Sequence, residues 1–449
     1  MPSAFVFAML LTIATGILAW IWVGTSPMQI VESWYMGFFD LLGFAMQIVL
    51  IIITGFSIAL SPIVSRGIDA LAPRIKTPTQ VYVVVVFIGM LLSLISFGWI
   101  VITAVLAREL SLRVNGIHYP FLIACVYFSF NSWVMGLSSS IPLLLNSENN
   151  FLIEAELLSS VIPTSTTIQS SLNFAMCILM VVGGPVLMFI LRPKTAKSRT
   201  LKDLHTTDGI SHNTTIEEEA ISLKLPFKTW SDKMNNSVIL QLVIVLMGGS
   251  YVLYHFATRG MDFNFNIMIF IFIIIGLLLH RTPVRYAISM QRSSSNISGI
   301  LFQYPFYAGI MGIMLYTGLG DRIGDLMASL ATVNSYPLYA YVTGAIVNFA
   351  IPSAGGEFAV IGPSLIGALR NLGEGLSPME MNQMIARASM SVAYGESLSN
   401  MLQPFYLLII MPIMGSGVKL QARDIMGYLL IPFLVLFAIQ SLFVIYWPI

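Results

Sequence analysis

The stretch that decides the fold is VNFAIPSAGGEFAVIGP, Val347 to Pro363. Its flanks are apolar enough to run through a membrane, yet Ile351-Pro352-Ser353-Ala354-Gly355-Gly356-Glu357 at its centre interrupts any helix, because proline lacks a donor and paired glycines favour a turn. The apolar stretch around it, 338–370, is too long for one comfortable span. Each half is roughly 15 residues, or about 22 Å at 1.5 Å per residue, too short for a hydrocarbon core of about 30 Å. The stretch therefore reads as a re-entrant helical hairpin. A second stretch, 81–107, has the same build, with its break at Ser93-Leu94-Ile95-Ser96-Phe97-Gly98.

The rest of the chain agrees with a membrane setting. Of 449 residues, 57% are hydrophobic and only 10% charged, against about 25% charged in a soluble domain. Full-length apolar runs near 4–23, 41–60, 120–145, 170–191, 237–256, 264–280, 299–319, 384–411 and 425–447 predict nine crossings. The fold class expected is an all-α polytopic membrane protein of about nine transmembrane helices plus two re-entrant hairpins. The first run, Ala4 to Val23, lacks a basic flank and a cleavage site and reads as a retained span. A net charge of +1 leaves no basic excess for nucleic acid. Cys125 and Cys177 lie in apolar runs without metal-ligand spacing, and the histidines at 118, 205, 212, 255 and 280 sit in loops or at span ends.

Charge placement tests the hairpins independently, since a hairpin returns the chain to its starting side and a crossing does not. With the N-terminus inside and the C-terminus outside, Arg66, Arg74, Lys76, Arg108, Arg113, the eight basic residues of 192–236, Arg281, Arg285, Arg292, Lys419 and Arg423 all fall inside. Only Arg259, Arg322, Arg370 and Arg387 fall outside. The polar stretch 192–236 is then a cytoplasmic linker, and the predicted organisation is an N-terminal span (1–24), a first repeat (25–191), the linker, connecting spans (237–298) and a second repeat (299–449).

The repeats rest on a weak self-similarity. Phe44-Ala45-Met46-Gln47 opens a span ending Thr54-Gly55, and Leu301-Phe302-Gln303-Tyr304 opens one ending Tyr316-Thr317-Gly318; each precedes a hairpin. After the hairpins come Trp133-Val134-Met135-Gly136-Leu137-Ser138-Ser139-Ser140-Ile141-Pro142 and Tyr394-Gly395-Glu396-Ser397-Leu398-Ser399-Asn400-Met401-Leu402-Gln403-Pro404, glycine- and hydroxyl-rich interruptions closed by a proline. The topology gives the two units opposite orientation. Inverted repeats with broken helices point to a secondary transporter whose substrate lies near the midplane. Half-helix N-termini there favour an anion, held by Ser139, Ser140, Ser353, Ser399 and Asn400 in the absence of any midplane Lys or Arg.

The 347–363 run resembles the hairpin motif of the short-chain fatty acid transporter family, and Gly136-Leu137-Ser138-Ser139-Ser140-Ile141-Pro142-Leu143-Leu144 and Ser399-Asn400-Met401-Leu402-Gln403-Pro404-Phe405 are similar to its other motifs. The resemblance covers nearly the whole chain. It implies a carrier of butyrate- or acetoacetate-like monocarboxylates in the cytoplasmic (inner) membrane, among ion-coupled anion transporters with paired hairpins and an elevator-type motion. Such relatives are often dimers, so a homodimer is the assembly it suggests. The chain departs from the family pattern at Glu357, where glutamine is common, and at Phe358, where the aromatic is often tryptophan.

Glu357 and Glu396 are the carboxylates placed at membrane depth. Burying each as an anion costs about 2.5–3.5 kcal/mol on insertion scales. One reading is that they bind a co-transported H⁺ or Na⁺, Na⁺ being the only bound ion implied; the plainer one is that they cap a half-helix and satisfy backbone freed by a break. Ser353, Gly355 and Gly356 form the turn and are candidates for substrate contact. Asn400 and Gln403 are candidate site residues, and Ser138 to Ser140 with Trp133 either line a pocket or let helices pack closely. Arg387 reads as an interfacial anchor. Gly318-Leu319-Gly320-Asp321 matches an intramembrane aspartyl protease pattern, but that chemistry needs a second membrane aspartate, for which only Asp40 at the edge of its span is at hand, and Asp321 itself falls at an outer end. The expected function is therefore cation-coupled transport of a short-chain monocarboxylate and not an enzymatic activity. The alternatives are a carrier of another small organic anion, such as a dicarboxylate, or a passive anion channel.

Overall fold

The computed structural model describes residues 4–40, 42–194, 199–204, 216–223, 229–260, 262–294, 298–349, 351–415 and 418–448. Among the described residues the extended regular elements are all helices, the form in which a chain in lipid satisfies its own backbone. By length and composition, Pro27–Ala59, Pro78–Ile95, Tyr119–Leu145, Ser171–Leu191 and Val238–Arg259 can each cross a membrane. Ala8–Val23, Phe265–His280 and Leu430–Tyr446 are shorter apolar helices. Each of the nine apolar runs holds a helix among the described residues.

Both breaks fall where the sequence puts them. Helix Pro78–Ile95 ends at Ser96, whose extended backbone turns the chain into a short 3-10 segment, Phe97–Trp99, and then helix Ile100–Arg113. The Ser96 hydroxyl accepts from the Gly98 amide at 3.2 Å and so satisfies a donor the break frees. The first arm is 18 residues, about 27 Å, long enough by itself to approach a full span. Its return is what makes it a hairpin: a Cβ on Gly116, just past the second arm, would sit 3.8 Å from Pro78 Cγ at the start of the first. The second hairpin joins Tyr336–Val347 to Ala354–Leu372, and the Tyr336 hydroxyl at its entry donates to Leu365 O near its exit at 3.0 Å.

Corresponding packing surrounds the two. The first arm of the first hairpin lies on the broken helix Tyr119–Leu145, and that of the second on the broken helix Pro378–Met414. A Cβ on Gly136 would fall 1.9 Å from Leu94 O, and one on Gly395 1.9 Å from Tyr341 O, so backbone meets backbone at matching places.

Residues 25–40, which fall between the first two predicted crossings, form helix Pro27–Asp40. It packs on Ser298–Tyr316 through glycines: a Cβ on Gly37 would lie 2.5 Å from Gly312 Cα. Close backbone contact holds this helix despite Glu32 and Asp40, which hydropathy alone does not anticipate. The linker's described residues are also tied down. Arg199 O accepts from Tyr119 N at 2.9 Å and Leu204 O from Lys419 N at 3.1 Å. Thr200 donates to Asp203 from its amide and its hydroxyl, which holds that carboxyl below its ordinary value. Helix Ile216–Ser222 is paired to Pro283–Ser294 by Glu217–Arg285 at 3.0 Å and Glu219–Arg292. Of the five histidines, His205 and His212 lie outside the described residues.

Gly136→Ala and Gly395→Ala are each expected to destabilise the fold by about 1–3 kcal/mol, the usual cost of overpacking. Gly67→Ala, at a helical position with open space, is expected to leave it unchanged or slightly stabilised. Thermal unfolding in detergent measures all three.

Candidate functional site

Helix Pro378–Ser399 stops because Gln403-Pro404 follows a short 3-10 turn, Asn400–Leu402. The freed groups are met by side chains. Asn400 Nδ2 lies 3.1 Å from Glu396 Oε1 and 2.8 Å from the Tyr406 hydroxyl. Gln403 Nε2 donates to Asn348 O at 3.1 Å and to Asn400 Oδ1 at 2.9 Å, which ties this break to the end of the second hairpin's first arm. Asn348 Nδ2 donates to Ser399 Oγ at 2.7 Å, and Ser399 to Glu396 O at 3.0 Å. Tyr127, from the other broken helix, donates to Asn400 O at 2.8 Å and also contacts Gln403 O.

The second hairpin turns at Ser353, whose hydroxyl lies 3.1 Å from that of Tyr304, and its second arm starts without a side-chain cap. Glu357 sits in the first turn of that arm, fully buried, and neither carboxyl oxygen has a hydrogen-bond partner. Glu396 is 1% exposed and its Oε2 is likewise unpartnered. The two carboxyls stand on elements packed against one another, Glu357 on the hairpin's second arm and Glu396 on helix Pro378–Ser399. Among the described residues no ion pair involves either carboxyl.

The first hairpin enters the same region. Phe97 N donates to Ser138 Oγ at 2.7 Å and Leu137 N to Leu94 O at 2.7 Å, which fastens that tip to the first broken helix. Directly beyond, Ser139 and Ser140 are buried with hydroxyls that have no protein partner. The Phe97 ring stands 4.6 Å from Phe130 and 5.1 Å from Trp133, centroid to centroid, and Trp133 Nε1 donates to the Tyr406 hydroxyl at 3.1 Å.

Comparison with known proteins places this architecture. The model of the short chain fatty acid transporter family matches residues 1–447. The chain belongs to the short-chain fatty acid transporter family. It is 33% identical over 95% of its length to a Haemophilus influenzae protein and 35% identical over 95% to one from Escherichia coli, covering 92% of each; both are provisionally named short-chain fatty acid transporters. Its fold is similar to that of the YdaH transporter of Alcanivorax borkumensis, with TM-score 0.59, 15% identity, and 99% and 98% of the two chains covered. This family member is thus a multi-pass membrane protein of transporter fold.

The sequence-derived candidates sort by what their polar groups do. Ser399, Asn400 and Gln403 spend theirs within the break. Ser139, Ser140, Glu357 and Glu396 retain buried atoms with no protein partner. Gly356 packs on Tyr307, where a Cβ would meet the ring at 2.9 Å, and Gly355 stands beside it in the uncapped first turn. Arg387 donates to Val444 O at 3.0 Å and to Ile445 O and Trp447 O at 2.8 Å, so it anchors the last helix. The reading missed Tyr127, Tyr304, Tyr406 and Asn348. Their signal was a polar group inside an apolar run, which must find a partner when buried.

Tyr406→Phe is expected to leave Trp133 Nε1 without its acceptor and Asn400 Nδ2 with one fewer, costing about 1–3 kcal/mol. Thermal unfolding in detergent against wild type measures it.

Proposed function

We propose that this protein is a secondary active transporter that carries short-chain monocarboxylates across the cytoplasmic membrane together with H⁺ or Na⁺. The observation that carries the reading is the pair Glu357 and Glu396: two fully buried carboxyls at the meeting of two helix breaks, with three of four oxygens unpartnered and no basic residue paired to them. A second anion entering that space adds negative charge where lipid-depth burial already penalises it, and a cation bound at the carboxyls offsets it. The substrate carboxylate would be held by the unpartnered hydroxyls of Ser139 and Ser140 and the uncapped first turn at Ser353, Gly355 and Gly356, while Ser399, Asn400 and Gln403 hold the break that frames it. The matched packing of the two hairpins supports a pair of repeats, inverted on the charge-derived topology, and the alternating access proposed for them is an elevator-type movement of the hairpin body. The family's substrate class agrees with a site of few donors, which suits one carboxylate better than two.

Uptake of radiolabelled butyrate into proteoliposomes tests this, with an inward Na⁺ gradient, a pH gradient or neither. Accumulation above equilibrium is expected with one gradient, and loss of that accumulation in Glu357→Gln or Glu396→Gln. Butyrate that only equilibrates under every gradient would favour a passive channel, and no entry at all would point to another anion.

A further inference from the structure

Helix Val238–Arg259 is the least buried of the five long apolar helices: 17% of its apolar stretch is covered by protein, so most of it faces outward, where the lipid is. It packs on Phe265–His280, and the start of the one lies against the end of the other, since Gln241 Nε2 donates to Leu277 O. Two turns further in the pair closes tightly, a Cβ on Gly248 falling 2.1 Å from Ile274 Cδ1. Nearer the ends a groove of about 300 Å³ lies between the helices, with Leu242, Val245 and Leu278 as its apolar wall and Gln241 and Arg281 also lining it. Both polar residues have unmet capacity there. Gln241 is 3% exposed, and because its Nε2 has to face the Leu277 carbonyl, its Oε1 is fixed as a buried acceptor without a donor. Arg281 forms no ion pair among the described residues. Its backbone is left-handed, with a φ of 66°, directly after the last helical residue, a position that glycine ordinarily takes. An arginine kept at a strained position points to a use for its side chain.

We propose that this groove binds an anionic phospholipid whose headgroup carries hydroxyls. The phosphate lies on Arg281, a headgroup hydroxyl donates to Gln241 Oε1, and an acyl chain runs along Leu242, Val245 and Leu278. A cation, a buried acceptor and an apolar channel between two membrane helices together match the three parts of such a lipid, and the unpaired charge of Arg281 selects an anionic one. On the charge-derived topology the site faces the cytoplasmic leaflet. It lies apart from the carboxyls and does not depend on which substrate the protein carries.

Native mass spectrometry of the full chain in detergent, titrated with palmitoyl-oleoyl phosphatidylglycerol or the phosphatidylcholine of the same chains, tests this. Wild type is expected to hold a first phosphatidylglycerol at least about 5-fold more tightly than phosphatidylcholine, the effect of one basic residue on an anionic headgroup. Arg281→Gly and Arg281→Gln are both expected to lose that preference. Glycine suits the left-handed backbone, so Arg281→Gly keeps the fold, which thermal unfolding in lipid-free detergent checks. Gln241→Met is expected to weaken the preference, and Arg259→Gln, at the opposite end of the same helix, to leave it unchanged. If Gln241→Met does not fold, Arg281→Gly decides. Equal affinity of the wild type for the two lipids, or a folded Arg281→Gly that binds phosphatidylglycerol as the wild type does, overturns the inference. A wild-type dimer that takes up neither lipid assigns the groove to a second copy of the chain and overturns it as well.

Discussion

A helix broken at membrane depth frees backbone groups that no water can reach, and every other feature of this protein answers to how those groups are satisfied. At the second break the answer is a chain of amides and hydroxyls from three elements: Gln403 to Asn348, Asn348 to Ser399, and Tyr127 to Asn400. At the first it is the hairpin tip itself, with Phe97 N on Ser138 and Leu137 N on Leu94. The hairpins are thereby fastened to the broken helices at their tips, while glycines at 136 and 395 let the backbones close upon one another. Breaks, hairpins and glycines form one mechanical unit.

That unit leaves buried polar atoms unspent, and the function proposed above rests on four groups among them. Two carboxyls and two serine hydroxyls are buried without full partners in a region that holds no Lys or Arg ion pair among the described residues. An anion carrier usually has a cationic ligand. On the reading proposed above the positive charge arrives with the substrate, so that coupling would be a consequence of the site's composition and not an addition to it.

Much of this was legible in the sequence because helix breaks are made by a few residue types. Ile351-Pro352-Ser353 and the glycines after it mark the second turn, and Ser96 and Gly98 the first, to within a residue or two. Glu357, Glu396 and Asn400 stand out as polar groups in apolar company. The tyrosines did not, since an apolar run tolerates a ring and hides its hydroxyl; Tyr127, Tyr304 and Tyr406 become visible only when their partners, 49 to 276 positions away along the chain for the first two, are brought together. Helix Pro27–Asp40 escaped for the opposite reason: its Glu32 and Asp40 lower its hydropathy, and what holds it is glycine packing against a helix far along the chain.

The central claim is that positive charge enters with the anion at Glu357 and Glu396. The direct measurement is the coupling ratio, read as the opposing cation gradient that brings net butyrate flux to zero in proteoliposomes holding a known butyrate gradient. At least one cation per butyrate is expected in the wild type, with a lower ratio or none in the Glu357→Gln and Glu396→Gln variants. A zero-flux point set by the butyrate gradient alone, whatever the Na⁺ and pH gradients, would contradict it.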